Sequence, residues 1–204
     1  LGVGAGTASS PHPLMIPTLD AVVGVRAGNS HACALRQDAN LWCWGWNAMG
    51  QVGTGDEVDV FEPAPILQGV AAFALGLSHS CAVDLDGRIH CWGDNGGGQL
   101  GDGTQSARSS PTEVLDPTDG PWATVVAVGV GDYHSCAAVA DGALYCWGAD
   151  FLGQLGRGVA TDAAFTQPVL AASVTEPVVE VAGGEVHTCA LSAAGQVFCF
   201  GGND

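Results

Sequence analysis

Apolar and polar residues alternate along this chain in short runs, and each run ends at glycine, proline, asparagine or aspartate. Runs of about four to eight residues with a period of two predict β-strands, because successive side chains of a strand point to opposite faces. No segment sustains the 3.6-residue spacing of an amphipathic helix. The pattern therefore predicts an all-β protein.

The same pattern occurs four times. Its copies start 48, 55 and 53 residues apart and read HACALRQDANLWCWG, HSCAVDLDGRIHCWG, HSCAAVADGALYCWG and HTCALSAAGQVFCFG, beginning at His31, His79, His134 and His187. A glycine stands three residues before each histidine, at Gly28, Gly76, Gly131 and Gly184. A Gly-Gln turn follows the first three copies, and a Pro-flanked or Gln-Pro apolar pair precedes every copy.

Each copy thus offers four short strand candidates, and four-stranded units repeated at about 50 residues are typical of β-propeller blades. We predict a propeller of four-stranded blades with four repeat units in this chain, as a partial or small ring. The units are expected at residues 13–53, 63–101, 111–156 and 168–204, after a small-residue linker at 1–12. Further blades of a longer chain, or a second copy, would complete a partial ring.

The pattern G-x-x-H-[ST]-C-A-L, followed by a turn and C-W-G-x-N-x-x-G-Q-L-G, resembles the regulator of chromosome condensation repeat family over residues 13–201. The resemblance implies a propeller that binds other molecules through its loops. The founding member exchanges guanine nucleotide on a small GTPase and contacts chromatin, so a related regulatory role is an alternative function.

Two cysteines flank the turn in each copy. In the second copy, a three-residue loop with Gly87 in the left-handed conformation would pair Asp84 with Arg88. Ala39 replaces that glycine in the first copy, whose turn is expected to differ in detail. Counting outward gives directly opposed pairs within disulfide reach, namely Cys33 with Cys43, Cys81 with Cys91, Cys136 with Cys146 and Cys189 with Cys199.

Hairpin disulfides predict an oxidising location, that is, an extracellular, periplasmic or cell-surface protein. Two alternatives remain open. The thiols could be free, or His79, Cys81 and Cys91, which share one sheet face, could bind zinc with a fourth ligand from elsewhere. The aromatic residues that follow the second cysteines point to the other face and are expected to fill the space between blades; these are Trp44, Trp92, Trp147 and Phe200.

The chain carries 5 arginines and no lysine against 21 carboxylates, for a formal net charge of −16. Such a field repels nucleic acid and anionic membrane surfaces and attracts basic partners. No apolar run approaches the roughly 18 residues that a membrane-spanning helix needs, so membrane insertion is not expected.

Candidate binding residues are those that break the repeat. Trp46 and Trp122 have no counterpart in the other copies and are expected at an exposed contact site. Asp56, Glu57 and Asp59 form an acidic loop without a recognisable calcium-ligand spacing, so a solvated loop is the simpler interpretation. No cofactor site or catalytic motif is recognisable.

The sequence therefore predicts an exported, disulfide-stapled propeller that binds a protein or a cell-surface ligand through variable loops, without catalysis. A propeller enzyme is the remaining alternative. It would need carboxylates gathered at one mouth of the ring, with Asp94, Asp132 and Asp150 as the first candidates.

Overall fold

The computed structural model describes residues 1–6, 9–117 and 120–203. Within these residues the secondary structure consists of β-strands, which confirms the all-β prediction. No helix in the described part of the chain is long and apolar enough to cross a bilayer. The strands are β1 Val22–Ala27, β2 His31–Arg36, β3 Leu41–Gly45, β4 Val60–Leu67, β5 Val70–Leu75, β6 His79–Asp84, β7 Ile89–Gly93, β8 Arg108–Glu113, β9 Val125–Val130, β10 His134–Val139, β11 Leu144–Asp150, β12 Thr161–Leu170, β13 Val178–Gly183, β14 His187–Ser192 and β15 Val197–Gly201.

The strands form four antiparallel sheets in chain order, which are the blades of the propeller. Three sheets contain four strands each, β1–β4, β5–β8 and β9–β12, and the fourth contains β13–β15 within the described residues. In the complete sheets the outer strand follows the Gly-Gln turn. The given sequence ends at CFGGND in the fourth copy, before the position of such a turn.

The unit boundaries differ from those expected. The sequence pattern predicts that the proline-bearing segments at 63–67 and 111–113 begin the second and third units. They lie instead in β4 and β8, which pair with β3 and β7 and are the last strands of the first and second sheets. Proline lacks the N–H that an inner strand must donate, so it is tolerated in an edge strand. A repeat period alone does not fix where a sheet begins, and the outer position of these prolines supplies that information.

The first strand of each sheet faces a common central groove. Side chains of β1, β5, β9 and β13 line this groove, which has a volume of about 620 Å³. The apolar core lies instead between neighbouring sheets. Trp92 and Trp147 are fully buried there, Trp92 beside Cys33 and Leu41 of the sheet before it. The predicted position between blades is therefore confirmed for Trp92 and Trp147, whereas Trp44 of the first sheet lies beside Gly2 and Ile16 of the N-terminal segment.

Each hairpin contains a disulfide. The bonded pairs are Cys33–Cys43, Cys81–Cys91, Cys136–Cys146 and Cys189–Cys199, and the partners are directly opposed in register. These are the pairs that counting outward from the turn gives. Bridging removes the thiolates that the zinc alternative required, and no cluster of three or more metal-ligating groups occurs among the residues described.

The turn of the first hairpin has the same backbone hydrogen bonds as the second and differs only in its side-chain bonds, so Ala39 does not change the turn type. The Arg36 amide donates to the Asn40 carbonyl at 3.0 Å, as the Asp84 amide does to Arg88 at 2.9 Å. Ala39 adopts a φ of 61°, close to the 83° of Gly87. The tertiary context thus imposes the left-handed conformation on an alanine, at a steric cost of roughly 1 kcal/mol.

Candidate functional site on the turn face

The residues before each histidine and those after each CWG or CFG motif meet at one end of the sheets. The amide of Trp46 donates to the Ser30 carbonyl at 2.9 Å, and that of Ala149 donates to the Tyr133 carbonyl at 2.9 Å. Equivalent bonds join residue 94 to 78 and residue 202 to 186. We call this end of the molecule the turn face; it comprises residues 29–30, 46–53, 77–78, 94–101, 132–133, 149–156, 185–186 and 202.

A hydrogen-bond relay across the sheet interface fixes the position of each Gly-Gln turn. Nε2 of His79 lies 2.9 Å from Oγ of Ser135, which donates to the Gln99 carbonyl at 2.9 Å. Because Oγ uses its proton in that bond, Nε2 must be protonated and donate to Oγ. The indole of Trp147 donates to the same carbonyl at 2.8 Å. The relay therefore connects three motifs of the repeat.

The relay occurs at all three sheet interfaces. His31 contacts Ser80, whose hydroxyl donates to the Gln51 carbonyl, and the last relay runs through His134, Thr188 and Gln154. Burial lowers the pKa of His31 to about 4, of His79 to about 3 and of His134 to about 4, so all three are neutral at pH 7. The histidines thus connect adjacent sheets.

The glycine before each histidine is required by the approach of two backbones. A Cβ on Gly28 would lie 2.5 Å from the Gly76 carbonyl oxygen and 2.6 Å from Cε1 of His31. Gly76 and Gly131 meet the carbonyl of the next glycine in the same way. These glycines border the mouth of the central groove together with Asp132 and Glu185.

Asn47 organises the first variable loop from inside. It is fully buried, and its amide nitrogen donates to Oγ1 of Thr54 at 3.1 Å and to the carbonyls of Asp56 and Val58 at 3.0 and 3.1 Å. Its side-chain oxygen accepts the Val52 amide at 2.9 Å. Asn95 has the same role in the second copy, and neither residue was predicted, although N follows CWG-x in both.

The predicted acidic residues lie in this loop and participate in its hydrogen bonds. The Asp56 carboxylate accepts hydrogen bonds from the Thr54 hydroxyl at 2.9 Å and from the backbone amide of Val58 at 3.1 Å. The Asp59 carboxylate accepts one from the backbone amide of Asn47 at 2.9 Å. Glu57 is exposed beside them. The structure brings Trp46, which is 39% exposed, close to this loop through its neighbour Asn47.

Trp122 lies apart from Trp46 and is not an exposed residue as predicted. It precedes β9, is half-buried, and packs edge-on against Tyr145 and Trp147 with ring centroids 5.6 and 6.1 Å away. A large aromatic side chain in a loop can equally cover the core, and the sequence contains no signal that separates the two environments.

The three carboxylates considered for an enzyme have different environments. Asp150 is buried, accepts the Leu155 amide and pairs with Arg157 at 3.2 Å. Asp94 accepts bonds from Gly96 and Gln99 within its own turn. Burial, and then the charge of Glu185, raise the pKa of Asp132. Two of the three carboxylates thus accept hydrogen bonds that stabilise their own turns.

The family comparison agrees with this geometry. The Regulator of chromosome condensation (RCC1) repeat matches residues 38–83, 86–138 and 141–191, and a second description of that repeat matches 22–51, 70–99 and 125–154. The chain belongs to this family. The predicted resemblance is thereby confirmed, and RCC1 repeats of this kind indicate a protein-interaction or regulatory scaffold.

Two curated RCC1-repeat relatives are much longer than this chain. The probable E3 ubiquitin-protein ligase HERC6 of Homo sapiens is 30% identical over 209 residues, covering 100% of this chain and 15% of that protein. The ultraviolet-B receptor UVR8 of Arabidopsis thaliana is 34% identical over 179 residues, covering 88% of this chain and 29% of the receptor. The chain therefore spans less than a third of either relative.

Solved structures confirm the propeller fold. Human WBSCR16 has a TM-score of 0.76 at 25% identity, over 88% of this chain and 47% of that one. Yeast RCC1 (Prp20), solved with Kap60, has a TM-score of 0.78 at 22% identity, over 91% of this chain and 45% of that one. In both cases this chain corresponds to about half of the propeller chain.

Proposed function

We propose that this chain is part of an exported propeller that binds a protein partner through its turn face. The observation that carries the proposal is the bridging of every cysteine within its own hairpin, one bond per sheet. Cytosolic reductants keep such thiols reduced, whereas exported proteins retain disulfides. The binding role is supported by propellers of the same fold. Yeast RCC1 (Prp20) has been solved with Kap60 bound, and Prp20p binds Gsp1p and histones.

The composition argues against direct DNA contact, and the placement of the carboxylates argues against an enzyme. Direct contact with DNA needs clustered basic residues, and this chain has 5 arginines against 21 carboxylates. An enzyme needs carboxylates that converge on one pocket, whereas Asp94 and Asp150 accept bonds within their own turns. Binding through exposed side chains requires neither feature.

Thiol titration tests the location. In protein purified from its native source without reductant, we expect none of this chain's eight cysteines to react in denaturant and all eight to react after reduction, since all 8 form disulfides. Blocking thiols with a maleimide at lysis prevents later oxidation. Eight reactive thiols before reduction would contradict export.

Affinity capture tests binding. The oxidised protein, immobilised as bait, is expected to retain a protein from the extracellular or periplasmic fraction of the source cells. The control bait is Leu85→Ser, which changes a 70% exposed side chain in the hairpin turn at the opposite end of the second sheet. It should retain the same protein, while a turn-face substitution such as Trp46→Asp, which copies Asp94, tests whether that face binds. Retention by neither oxidised bait would contradict the scaffold function.

A further inference from the structure

Three neighbouring side chains on the turn face are large, apolar and partly exposed. Tyr133, Phe151 and Leu152 are 38%, 40% and 43% exposed, and the Tyr133 and Phe151 ring centroids lie 6.4 Å apart. We call these residues the aromatic patch. Exposed apolar side chains that cluster, rather than occurring singly, are characteristic of interaction surfaces.

The first and second copies show that the turns close without the rings of Tyr133 and Phe151. Serine occupies the Tyr133 position in the first and second copies, at Ser30 and Ser78. The Phe151 position holds Ala48 in the first copy and Gly96 in the second. The backbone bond between Ala149 and Tyr133 has the same length, 2.9 Å, as the bond between Trp46 and Ser30. The aromatic rings are therefore not needed to build the turn.

Uncompensated negative charge borders the patch. Asp132 directly precedes Tyr133, and its amide donates to the Glu185 carbonyl of the next sheet at 3.2 Å. Four of the five arginines form ion pairs with other carboxylates; these are Arg36, Arg88, Arg108 and Arg157. The fifth, Arg26, lies over the ring of Phe73 at 5.8 Å, and the sequence contains no lysine.

We propose that the aromatic patch with Asp132 and Glu185 is a docking site for a basic segment of a protein partner, one in which arginine or lysine flanks an apolar or aromatic side chain. The inference rests on the proposed binding function and specifies the partner. Charge complementarity selects the occupant, because within the described residues no cation pairs with Asp132 or Glu185. The chain already stacks a guanidinium on a ring, since Arg157 lies 4.1 Å from the centre of Phe165.

Labelled peptides test the chemistry of the occupant. The probes are fluorescein-labelled Gly-Arg-Trp-Arg-Gly, Gly-Glu-Trp-Glu-Gly and Gly-Arg-Ser-Arg-Gly, measured by fluorescence anisotropy on the oxidised full chain. We expect the first to bind about tenfold more tightly than either of the others, because only it matches both the charge and the rings. Its affinity should fall as salt is added.

Two variants test the residues. Tyr133→Ser with Phe151→Ala copies the residues of the first repeat, and Asp132→Asn with Glu185→Gln removes the charges at nearly constant shape. Each pair should weaken binding of the basic aromatic peptide about tenfold, and the second should also flatten the salt dependence. The matched control, Leu85→Ser with Asp86→Asn at the opposite end of the second sheet, should leave binding unchanged. Circular dichroism and melting temperature verify that each variant folds.

Equal binding of the three peptides, or unchanged binding by the patch variants, would overturn the inference. Sedimentation of the free chain separates a further case, because self-association abolished by Tyr133→Ser with Phe151→Ala would identify a second copy as the occupant and refute a basic partner. Capture of a native partner by both the unaltered and the patch-variant bait would leave the scaffold function standing while this docking site fails.

Discussion

At His79, the surroundings of the imidazole ring determine its protonation state. Oγ of Ser135 accepts the hydrogen bond of the protonated Nε2, while Nδ1 is buried and has no partner among the residues described. A second proton would therefore place a charge on a buried ring, and this burial lowers the pKa to about 3. Each sheet interface thus depends on a neutral histidine.

This dependence predicts a loss of stability in mild acid. The unfolded chain binds a proton at each histidine below about pH 6.5, whereas the folded chain resists it down to about 3 to 4. Because the unfolded state binds more protons in that window, the free energy of unfolding should decrease, for each unit by which the pH falls, by about 1.4 kcal/mol per buried histidine. Urea unfolding at several pH values between about 7 and 4.5 measures this slope.

His79→Gln isolates one histidine. The Gln amide nitrogen can replace Nε2 as the donor to Ser135 but does not titrate, so the pH slope should become shallower by about 1.4 kcal/mol per unit. His12→Gln, in the exposed N-terminal segment, serves as the control and should leave the slope unchanged. An identical slope in all three proteins would show that the buried histidines do not determine the acid sensitivity.

At the scale of the hairpin, the first turn keeps the conformation of the repeat with a different residue. Ala39 holds a left-handed φ of 61° where the other copies have Gly87, Gly142 and Gly195. Ala39→Gly should therefore raise the free energy of unfolding by about 0.5 kcal/mol, since the steric cost of about 1 kcal/mol that it removes exceeds the roughly 0.5 kcal/mol of extra entropy that glycine loses on folding. Gly87→Ala is the matched reverse change. It should destabilise by a similar amount, and thermal or urea unfolding of both variants measures the pair.

A destabilised Ala39→Gly protein would mean that the alanine side chain makes a contact that outweighs its backbone strain. The Arg36–Asp38 ion pair beside it, at 3.6 Å, is a surface pair worth little and should not alter the sign. Agreement between the two reciprocal changes would assign the effect to the backbone.

Local sequence was sufficient for the hairpins but not for their contacts. The register follows from a two-residue period and a turn of fixed length, so Cys81 and Cys91 could be paired by counting. The bond from His79 to Ser135 spans 56 residues and depends on how two sheets are rotated against each other. A repeat pattern shows that such residues recur together, whereas the partner across the interface requires three-dimensional coordinates.

The candidate site was predicted in part for the same reason. Trp46 is predicted to be exposed because it breaks the repeat. Tyr133 and Phe151 break the repeat in the same way, but the sequence prediction does not include them. Trp122 also breaks the repeat and packs on Tyr145 and Trp147 instead. Departure from a repeat therefore signals a special environment, and burial decides whether that environment is solvent or core.

Across the whole molecule, the relays connect each sheet to the next in one direction. The histidine comes from the earlier sheet and the hydroxyl from the later one, at all three interfaces. His187 in the last sheet is exposed, because no later sheet covers it in the described part of the chain. Ala32 stands in the first sheet at the position of the hydroxyl. The interior sheets are therefore fixed on both sides and the outer ones on one.

Repulsion among the carboxylates opposes the packing of the four sheets. With a net charge of −16, the folded chain concentrates carboxylates that the unfolded chain spreads apart. Added sodium chloride shortens the screening length from about 30 Å at 10 mM to about 10 Å at 0.1 M, which weakens long-range repulsion more than the short ion pairs. The melting temperature should therefore rise by several degrees over that range, as differential scanning calorimetry can measure.

Asp132→Asn with Glu185→Gln should reduce this rise more than Asp86→Asn with Asp162→Asn, because Asp132 and Glu185 repel each other across a sheet interface. A melting temperature that falls with salt would show that the ion pairs of the arginines outweigh the repulsion among the carboxylates.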